Sequence, residues 1–153
     1  MTPQVIPMYL AELLDRTGLD VLDHLERQVA VPVIDGLQAQ GDLIVIPFDM
    51  IKSVTLSDGW GIWRQVPPDG VELVRGVAGN NPHTLVADPG TCRVTAAMRD
   101  LTRLAIGVFE NIAPAYLIHP EHGASGVAPG RWLVRRQQER GAGARSRAVL
   151  IAD

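Results

Sequence analysis

A series of short apolar runs, which begins at Gly41 and is broken by turn residues, constrains the fold most strongly. The stretch "GDLIVIPF" (41–48) is rich in β-branched residues and lies between Gly-Asp and Pro, as is typical of a strand. Eight further short runs follow, separated by "SDG", "PPDG", "GNNP", "DPGT" and "APGR". This spacing favours an antiparallel β-sandwich or small barrel over a parallel α/β sheet. Only residues 95–112 fit a helix as well as strands.

The first forty residues have helical periodicity instead. Residues 8–16 place Leu10, Leu13 and Leu14 on one helical face, and Gly18 follows as a C-cap. A second helix is expected over 20–31, after which Pro32 ends it or begins a short third one. The predicted organisation is one mainly β, α+β domain over 1–153, with a helical segment at 8–40, a β-rich core at 41–140, and a linker with an apolar tail at 141–153.

The composition excludes several classes of protein. A chain of 153 residues with 46% hydrophobic and 20% charged residues is typical of one globular domain. Its apolar runs are far shorter than the about 20 residues that span a bilayer, so no membrane partner is expected. The N-terminus does not resemble a signal peptide, and the single cysteine, Cys92, excludes an intrachain disulfide. These features predict a cytoplasmic protein.

The charges are divided unevenly along the chain. Residues 1–60 contain nine acidic residues against Arg16, Arg27 and Lys52, whereas residues 131–147 contain six arginines against Glu139. A basic tail either binds nucleic acid or docks on the acidic half of its own or a neighbouring subunit. The candidate partner-binding arginines are Arg135, Arg136, Arg140, Arg145 and Arg147.

The C-terminal tail combines a flexible and an apolar segment. The stretch "GAGARSR" (141–147) has the composition of a flexible linker, and "AVLIAD" (148–153) follows it. An apolar end is expected to be covered, and a short strand there suits addition to a sheet edge, including that of another subunit.

The stretch "HPEH" at 119–122 contains the strongest candidate for a metal site. Pro120 suits the second position of a type I turn, which brings the first and fourth Cα atoms within about 7 Å, so the two imidazoles can reach one ion. His83 is the candidate third ligand, and Glu121 or Asp88 the carboxylate, for a zinc-like divalent metal. The alternative is a plain turn with hydrogen-bonded surface histidines.

Two stretches of the chain, "GNNPHTL" (79–85) and "LIHPEHGASGVAPGRWLVRRQQE" (117–139), resemble small uncharacterised bacterial and phage proteins. In those proteins a Gly-His-x-His strand precedes a Thr-His-x-x-His turn and a Pro-x-Gly-x-aromatic-x-Val-x-x-Gln-Arg-Glu strand. The first histidine of that pattern has no counterpart here, since Asn80 or Asn81 stands near its place. The resemblance implies a shared β-fold and a shared histidine cluster, and it implies no activity.

Other candidate sites are less specific. Trp60 and Trp63 are expected to face opposite sides of a strand, so one enters the core and the other is an interface anchor or a lid on the sheet beside Arg64. Cys92 is either a nucleophile paired with His83 or His119, or a small buried apolar residue. The chain has no nucleophile elbow, P-loop or dinucleotide fingerprint, which argues against a standard enzyme.

Three functions therefore fit the sequence. The first is a non-enzymatic assembly or interaction protein that self-associates or docks on a protein partner through its C-terminal strand and arginines. The second is a metal-binding β-domain built on the histidines, hydrolytic if water fills an open position. The third is a nucleic-acid-binding accessory protein.

Overall fold

The computed structural model describes residues 7–22, 25, 27–57, 62–75, 82–140 and 148–150, and for 74–75, 138–140 and 148–150 it describes the backbone only. These residues form one α-helix, a 3₁₀ turn and fifteen strands. In chain order they are α1 (Leu10–Thr17), β1 (Val33–Ile34), β2 (Gln38–Gln40), β3 (Leu43–Pro47), the 3₁₀ turn Phe48–Met50, β4 (Val54–Leu56), β5 (Arg64–Gln65), β6 (Val71–Arg75), β7 (Pro82–Ala87), β8 (Cys92–Thr95), β9 (Met98–Asp100), β10 (Ala105–Asn111), β11 (Ala115–His119), β12 (Gly123–Val127), β13 (Gly130–Arg136), β14 (Gln138–Arg140) and β15 (Ala148–Leu150).

Two open sheets pack face to face as a β-sandwich, which confirms the predicted mainly β fold. The five-stranded sheet has the order β1-β12-β11-β7-β6, and the six-stranded sheet has the order β2-β3-β13-β10-β8-β5. Neighbouring strands are antiparallel except for β1 and β12, which are parallel. The sandwich is thus the correct member of the predicted pair, sandwich or small barrel.

The main core lies between the sheets, where Leu85 and Leu117 of one meet Leu43 and Phe109 of the other, all fully buried. Successive side chains on a strand face opposite sides of the sheet. The residues next to Leu85 and Leu117 therefore point outward and form a second core under α1.

Helix α1 covers the outer face of the five-stranded sheet. Leu10, Leu13 and Leu14 are buried there against residues of β7 and β11, as the helical spacing predicted. Gly18 has a φ of 72°, and its N–H donates to the carbonyl of Leu14, so the predicted C-cap is confirmed.

The predicted helices between residues 20 and 40 are wrong. The described residues of 20–32 form turns and an isolated bridge between Tyr9 and Ala30, and residues 33–40 form β1 and β2. The N–H groups of Leu10 and Ala11 have no acceptors inside α1, and they donate to the carbonyls of Val29 and Arg27. The carbonyls of Arg27 and Val29, in turns and bends, thus satisfy the first turn of α1, which outweighs the helical spacing of the side chains in this segment.

The outer face of the six-stranded sheet is covered by the two-stranded antiparallel sheet of β4 and β9. Val54, Val108 and Leu133 form a third buried cluster there, with Trp63 and Met98 packed against it. Residues 98–100 and 105–111 are strands, which decides between the two alternatives for 95–112. The reason is that Val108 and its neighbour Phe109 are both fully buried on opposite faces, a period of two.

The C-terminal strand β15 pairs with β14 of the same chain and forms a separate two-stranded sheet, called the C-terminal ribbon below. The predicted linker at 141–147 lies outside the described residues. Among the helices in the described ranges, none is long and apolar enough to cross a membrane.

Candidate functional site

His83 and His119 lie side by side in the interior of the sandwich. β7 and β11 pair with Ile118 opposite Thr84, so one step further along the ladder brings His119 opposite His83. Each faces the same side of the sheet as the core leucine two residues away in its strand. Both side chains are fully buried, and their ring centroids are 4.4 Å apart. His119, which the plain-turn alternative placed at the surface, is thus part of the interior.

His83 joins the two sheets through both of its ring nitrogens. Nδ1 lies 2.9 Å from Oε1 of Gln40, and Nε2 lies 2.8 Å from Oδ1 of Asp42. The amide nitrogen of Gln40 donates to the carbonyl of Leu117, which fixes the amide oxygen towards the ring. Both ring nitrogens of His83 thus lie within hydrogen-bonding distance of side-chain oxygens from the other half of the sandwich.

His119 organises the predicted turn. Its Nδ1 accepts the backbone N–H groups of Glu121 and His122, at 3.1 and 3.3 Å. His119 pairs with Gly123, whose φ of 76° allows the chain to leave the turn. An Nδ1 that accepts hydrogen bonds has no proton, so the neutral ring of His119 carries its proton on Nε2.

His122 extends the series of histidines towards the surface. Its side chain is exposed, and its ring centroid lies 4.5 Å from that of His119. His83, His119 and His122 thus form a row of three rings, called the histidine row below, which runs from the interior to solvent. Glu121 is exposed in the same turn.

The predicted ligands lie together in the histidine row, but three of their ring nitrogens already take part in hydrogen bonds. Both nitrogens of His83 and Nδ1 of His119 take part in the hydrogen bonds described above. Within the described ranges, no group of three His, Cys, Asp or Glu side chains is placed to hold a metal ion. Asp88 follows the far end of β7 and lies 3.7 Å from Arg16, away from the row. Metal binding by His83, His119, His122 and Glu121 stays a prediction.

Glutamines of β2 extend this polar cluster along one open side of the sandwich. Gln38 and Gln40 are both buried, and their amide groups donate to the carbonyls of Gly126 and Leu117 in the opposite sheet. These bonds join the edge strand β2 to β12 and β11 of the opposite sheet. The polar cluster formed by Gln38, Gln40, Asp42, His83 and His119 therefore fixes how the two sheets sit on each other.

Trp63, Arg135 and Arg136 are the predicted partner-binding residues whose side chains the structure describes. Trp63 is half-buried and packs under the guanidinium of Arg93, whose Cζ lies 4.4 Å from the ring centroid. Arg135 and Arg136 are half-buried at the end of the central strand β13. Trp60, Arg145 and Arg147 lie outside the described residues, as does the side chain of Arg140.

Cys92 and Trp132 belong to the core between the sheets. Both are 3% exposed, and burial raises the pKa of the Cys92 thiol to about 12. A thiol of this kind is protonated and inert at neutral pH, so Cys92 is a small apolar core residue.

Residues 39–137 match the model of a protein family described as "Domain of unknown function (DUF8820)". The chain belongs to this family. No curated protein and no solved structure matches it.

The DUF8820 match covers the sandwich from β2 to β13, together with Gln40, Asp42 and the histidine row. Helix α1, strand β1 and the C-terminal ribbon lie beyond its limits. All members of the polar cluster except Gln38 thus lie within the matched residues, whereas α1 and the ribbon lie outside them.

Sequence reasoning missed the partners of His83. Gln40 and Asp42 lie 43 and 41 residues from it, on β2 of the other sheet and in the turn that follows β2, so no local spacing relates them to His83. The alternation of "QAQGD" (38–42), with polar residues at every second position, was the available signal of a strand with an inward polar side.

Proposed function

We propose that this protein is a non-catalytic assembly module that self-associates through its C-terminal ribbon. The observation that carries the proposal is that β14 and β15 pair with each other and, within the described strands, with no strand of the sandwich. A ribbon of two strands is marginally stable in water by itself. Its outer edges present rows of backbone donors and acceptors that another strand can pair with.

The base of the ribbon is fixed to the sandwich. Gln137, the residue between β13 and β14, donates its backbone N–H to the carbonyl of Asp42 and its side-chain amide to the carbonyl of Gly41. β13 itself lies in the interior of the six-stranded sheet, between β3 and β10. The ribbon therefore follows directly on a strand at the centre of the six-stranded sheet.

The sequence of the ribbon supports a protein partner. Residues 148–151 read "AVLI", which favours burial against a second surface. Pairing of this segment with the ribbon of a second copy covers it and satisfies the backbone groups of both edges. Such β-augmentation is a common mode of recognition between proteins.

Light scattering on the full chain and on a chain that ends at Gln137 tests the proposal. The full chain is expected to exceed the monomer mass, and the shortened chain, which retains the DUF8820 domain, is expected to be a folded monomer by circular dichroism. A monomer in both cases contradicts the proposal.

Metal binding is the second candidate function, and one observation favours it: the histidine row brings three imidazoles into contact in series. It ranks below assembly because His83 and His119 would have to give up hydrogen bonds that hold the two sheets and the turn together.

A further inference from the structure

The two broad faces of the molecule carry opposite charge. The face on the α1 side, called the acidic face below, has six acidic residues against two arginines among the described residues. They are Glu12, Asp15, Asp20, Glu72, Asp88 and Glu121, against Arg16 and Arg27. The face on the β4–β9 side, called the basic face below, has six basic residues against three acidic ones. They are Lys52, Arg93, Arg99, Arg103, Arg131 and Arg135, against Asp49, Asp100 and Glu110.

The basic face contains an ordered row of side chains that crosses the six-stranded sheet, called the ladder below. Glu110 of β10 pairs in register with Arg93 on one side and Arg131 on the other. Nε of Arg93 donates to Oε1 of Glu110 at 2.7 Å, and Nε of Arg131 donates to Oε2 at 2.6 Å. Trp63 lies under Arg93, and Phe48 lies 5.6 Å from Arg131, so an aromatic ring flanks each guanidinium.

The two guanidiniums of the ladder have more positive charge than the single carboxylate of Glu110 neutralises. One carboxylate is shared by two guanidiniums, and each guanidinium has five N–H donors. The Arg93 and Arg131 side chains are 47% and 43% exposed, against 22% for Glu110, so donors remain accessible to solvent. Two arginines already held in place lose little conformational freedom on binding, and this favours association with a further carboxylate.

We propose that the ladder binds the acidic face of a second copy of this chain, so that copies associate head to tail. The proposal rests on the proposed self-association and assigns it a pair of surfaces besides the ribbon. Glu12 and Asp15 are exposed on α1 and three residues apart, so both project from the side opposite its buried leucines. A contact between two different faces repeats from copy to copy and gives a ring or a filament.

The ladder suits a protein carboxylate better than nucleic acid. Glu110 lies between the two arginines, where a row of phosphates would meet its negative charge. The hydrogen bonds from both arginines also hold it ionised, because burial raises the pKa of Glu110 but these bonds lower it further, to a net value below the usual one. The complementary acidic face is present on the same chain.

Charge reversal on each face, followed by mixing, tests the proposal by sedimentation velocity at low salt. Glu12→Lys/Asp15→Lys and Arg93→Glu/Arg131→Glu are each expected to weaken self-association about tenfold or more, because like charges meet. An equimolar mixture of the two variants is expected to restore self-association, since every contact between one variant and the other joins faces of opposite charge. Asp35→Lys/Asp69→Lys, which changes the net charge equally at exposed loop positions, is the matched control and is expected to associate like the wild type.

The outcomes separate this proposal from the role of the ribbon. If the charge variants associate normally and the chain ending at Gln137 is monomeric, the ladder proposal fails and the ribbon proposal stands. If the shortened chain still associates and the charge variants do not, the reverse holds. Arg93→Gln/Arg131→Gln, which places no new charge beside Glu110, replaces the glutamate variant if that one unfolds.

Nucleic-acid binding is the remaining outcome. Retention of a labelled single-stranded oligonucleotide by the wild type at low salt, lost in Arg93→Gln/Arg131→Gln and unchanged in Glu12→Lys/Asp15→Lys, would overturn the proposal in favour of a phosphate-binding face.

Discussion

Asp42 and His83 are hydrogen bonded between the two sheets, with Oδ1 and Nε2 at 2.8 Å and the imidazole fully buried. Removing one partner leaves the other polar side chain buried without this hydrogen bond, which typically costs about 1–3 kcal/mol of the free energy of unfolding. We expect Asp42→Ala and His83→Ala to show losses of this order, and the double variant to lose much less than their sum. Urea unfolding of the four proteins measures the coupling.

The exposed pair Arg16 and Asp88, at 3.7 Å, is the control for this cycle. Its coupling is expected to fall within about 0–1 kcal/mol, because solvent screens both groups. Equal coupling in the two pairs would show that the His83–Asp42 contact has no special role in joining the sheets.

The histidine row gives a prediction about metal. Since the nitrogens of His83 and Nδ1 of His119 are in hydrogen bonds, zinc is not expected to raise the melting temperature of protein purified without a tag. Metal analysis by mass spectrometry, with His119→Ala/His122→Ala beside the wild type, checks this. Stoichiometric metal in the wild type that disappears in the variant would instead establish the metal-binding function.

Asp100 gives a prediction about pH. Its carboxylate accepts the backbone N–H groups of Thr102, Leu104 and Ala105 at 2.7 to 3.0 Å. Burial raises the pKa of Asp100, but these bonds and that of the Thr102 hydroxyl lower it further, so the net pKa lies below the usual value. A carboxyl with a lower pKa in the folded state stabilises the protein above the unfolded-state pKa, and this stabilisation is lost as the pH falls through the folded-state pKa.

Asp100→Asn is therefore expected to lower the free energy of unfolding by about 2 kcal/mol near neutral pH, and by progressively less below about pH 4. Asp69→Asn, in an exposed turn, is the control. A loss that stays constant with pH would show that the charge of Asp100 is not the cause.

Two glycines with positive φ are expected to differ in their tolerance of a side chain. Gly123 has a φ of 76°, and a Cβ there would meet only Leu25, at 4.0 Å. Gly70 has a φ of 88°, and a Cβ would lie 2.7 Å from Thr84 and Val86. Gly123→Ala is expected to cost about 1 kcal/mol from backbone strain alone, and Gly70→Ala about 3 kcal/mol because overpacking is added. Equal midpoints of urea unfolding for Gly123→Ala and Gly70→Ala would exclude this difference.

The sequence predicted the parts of the fold that local patterns determine. The strands from Gly41 onward followed from β-branched runs and turn residues, and the turn at Pro120 and the cap at Gly18 followed from single residues. The helix predicted over 20–31 was wrong because backbone groups of this segment form hydrogen bonds with other parts of the chain. Its carbonyls accept N–H groups of α1, and the N–H of Leu22 donates to the carbonyl of Pro120. These are contacts of tertiary structure, which side-chain spacing does not contain.

The site was predicted in part for the same reason. The sequence grouped His83, His119 and His122 as candidate ligands because each lies beside or near a proline in a turn-rich stretch. The pairing of β7 with β11 brings the first two together. Gln40 and Asp42 belong to the other sheet, and their place depends on how the sheets pack. Arg93, Glu110 and Arg131 are aligned by the register of β8, β10 and β13 within one sheet, which local spacing does not contain either.

Sedimentation velocity of the wild type and Val149→Pro over a range of concentrations tests the assembly role most directly. Val149 lies opposite Glu139 in the ribbon, and proline there removes a backbone donor and disfavours the strand. We predict concentration-dependent association of the wild type and of Val149→Thr, which keeps a β-branched residue, and a folded monomer for Val149→Pro. Association of Val149→Pro equal to that of the wild type, or a monomeric wild type at every concentration, would contradict the account.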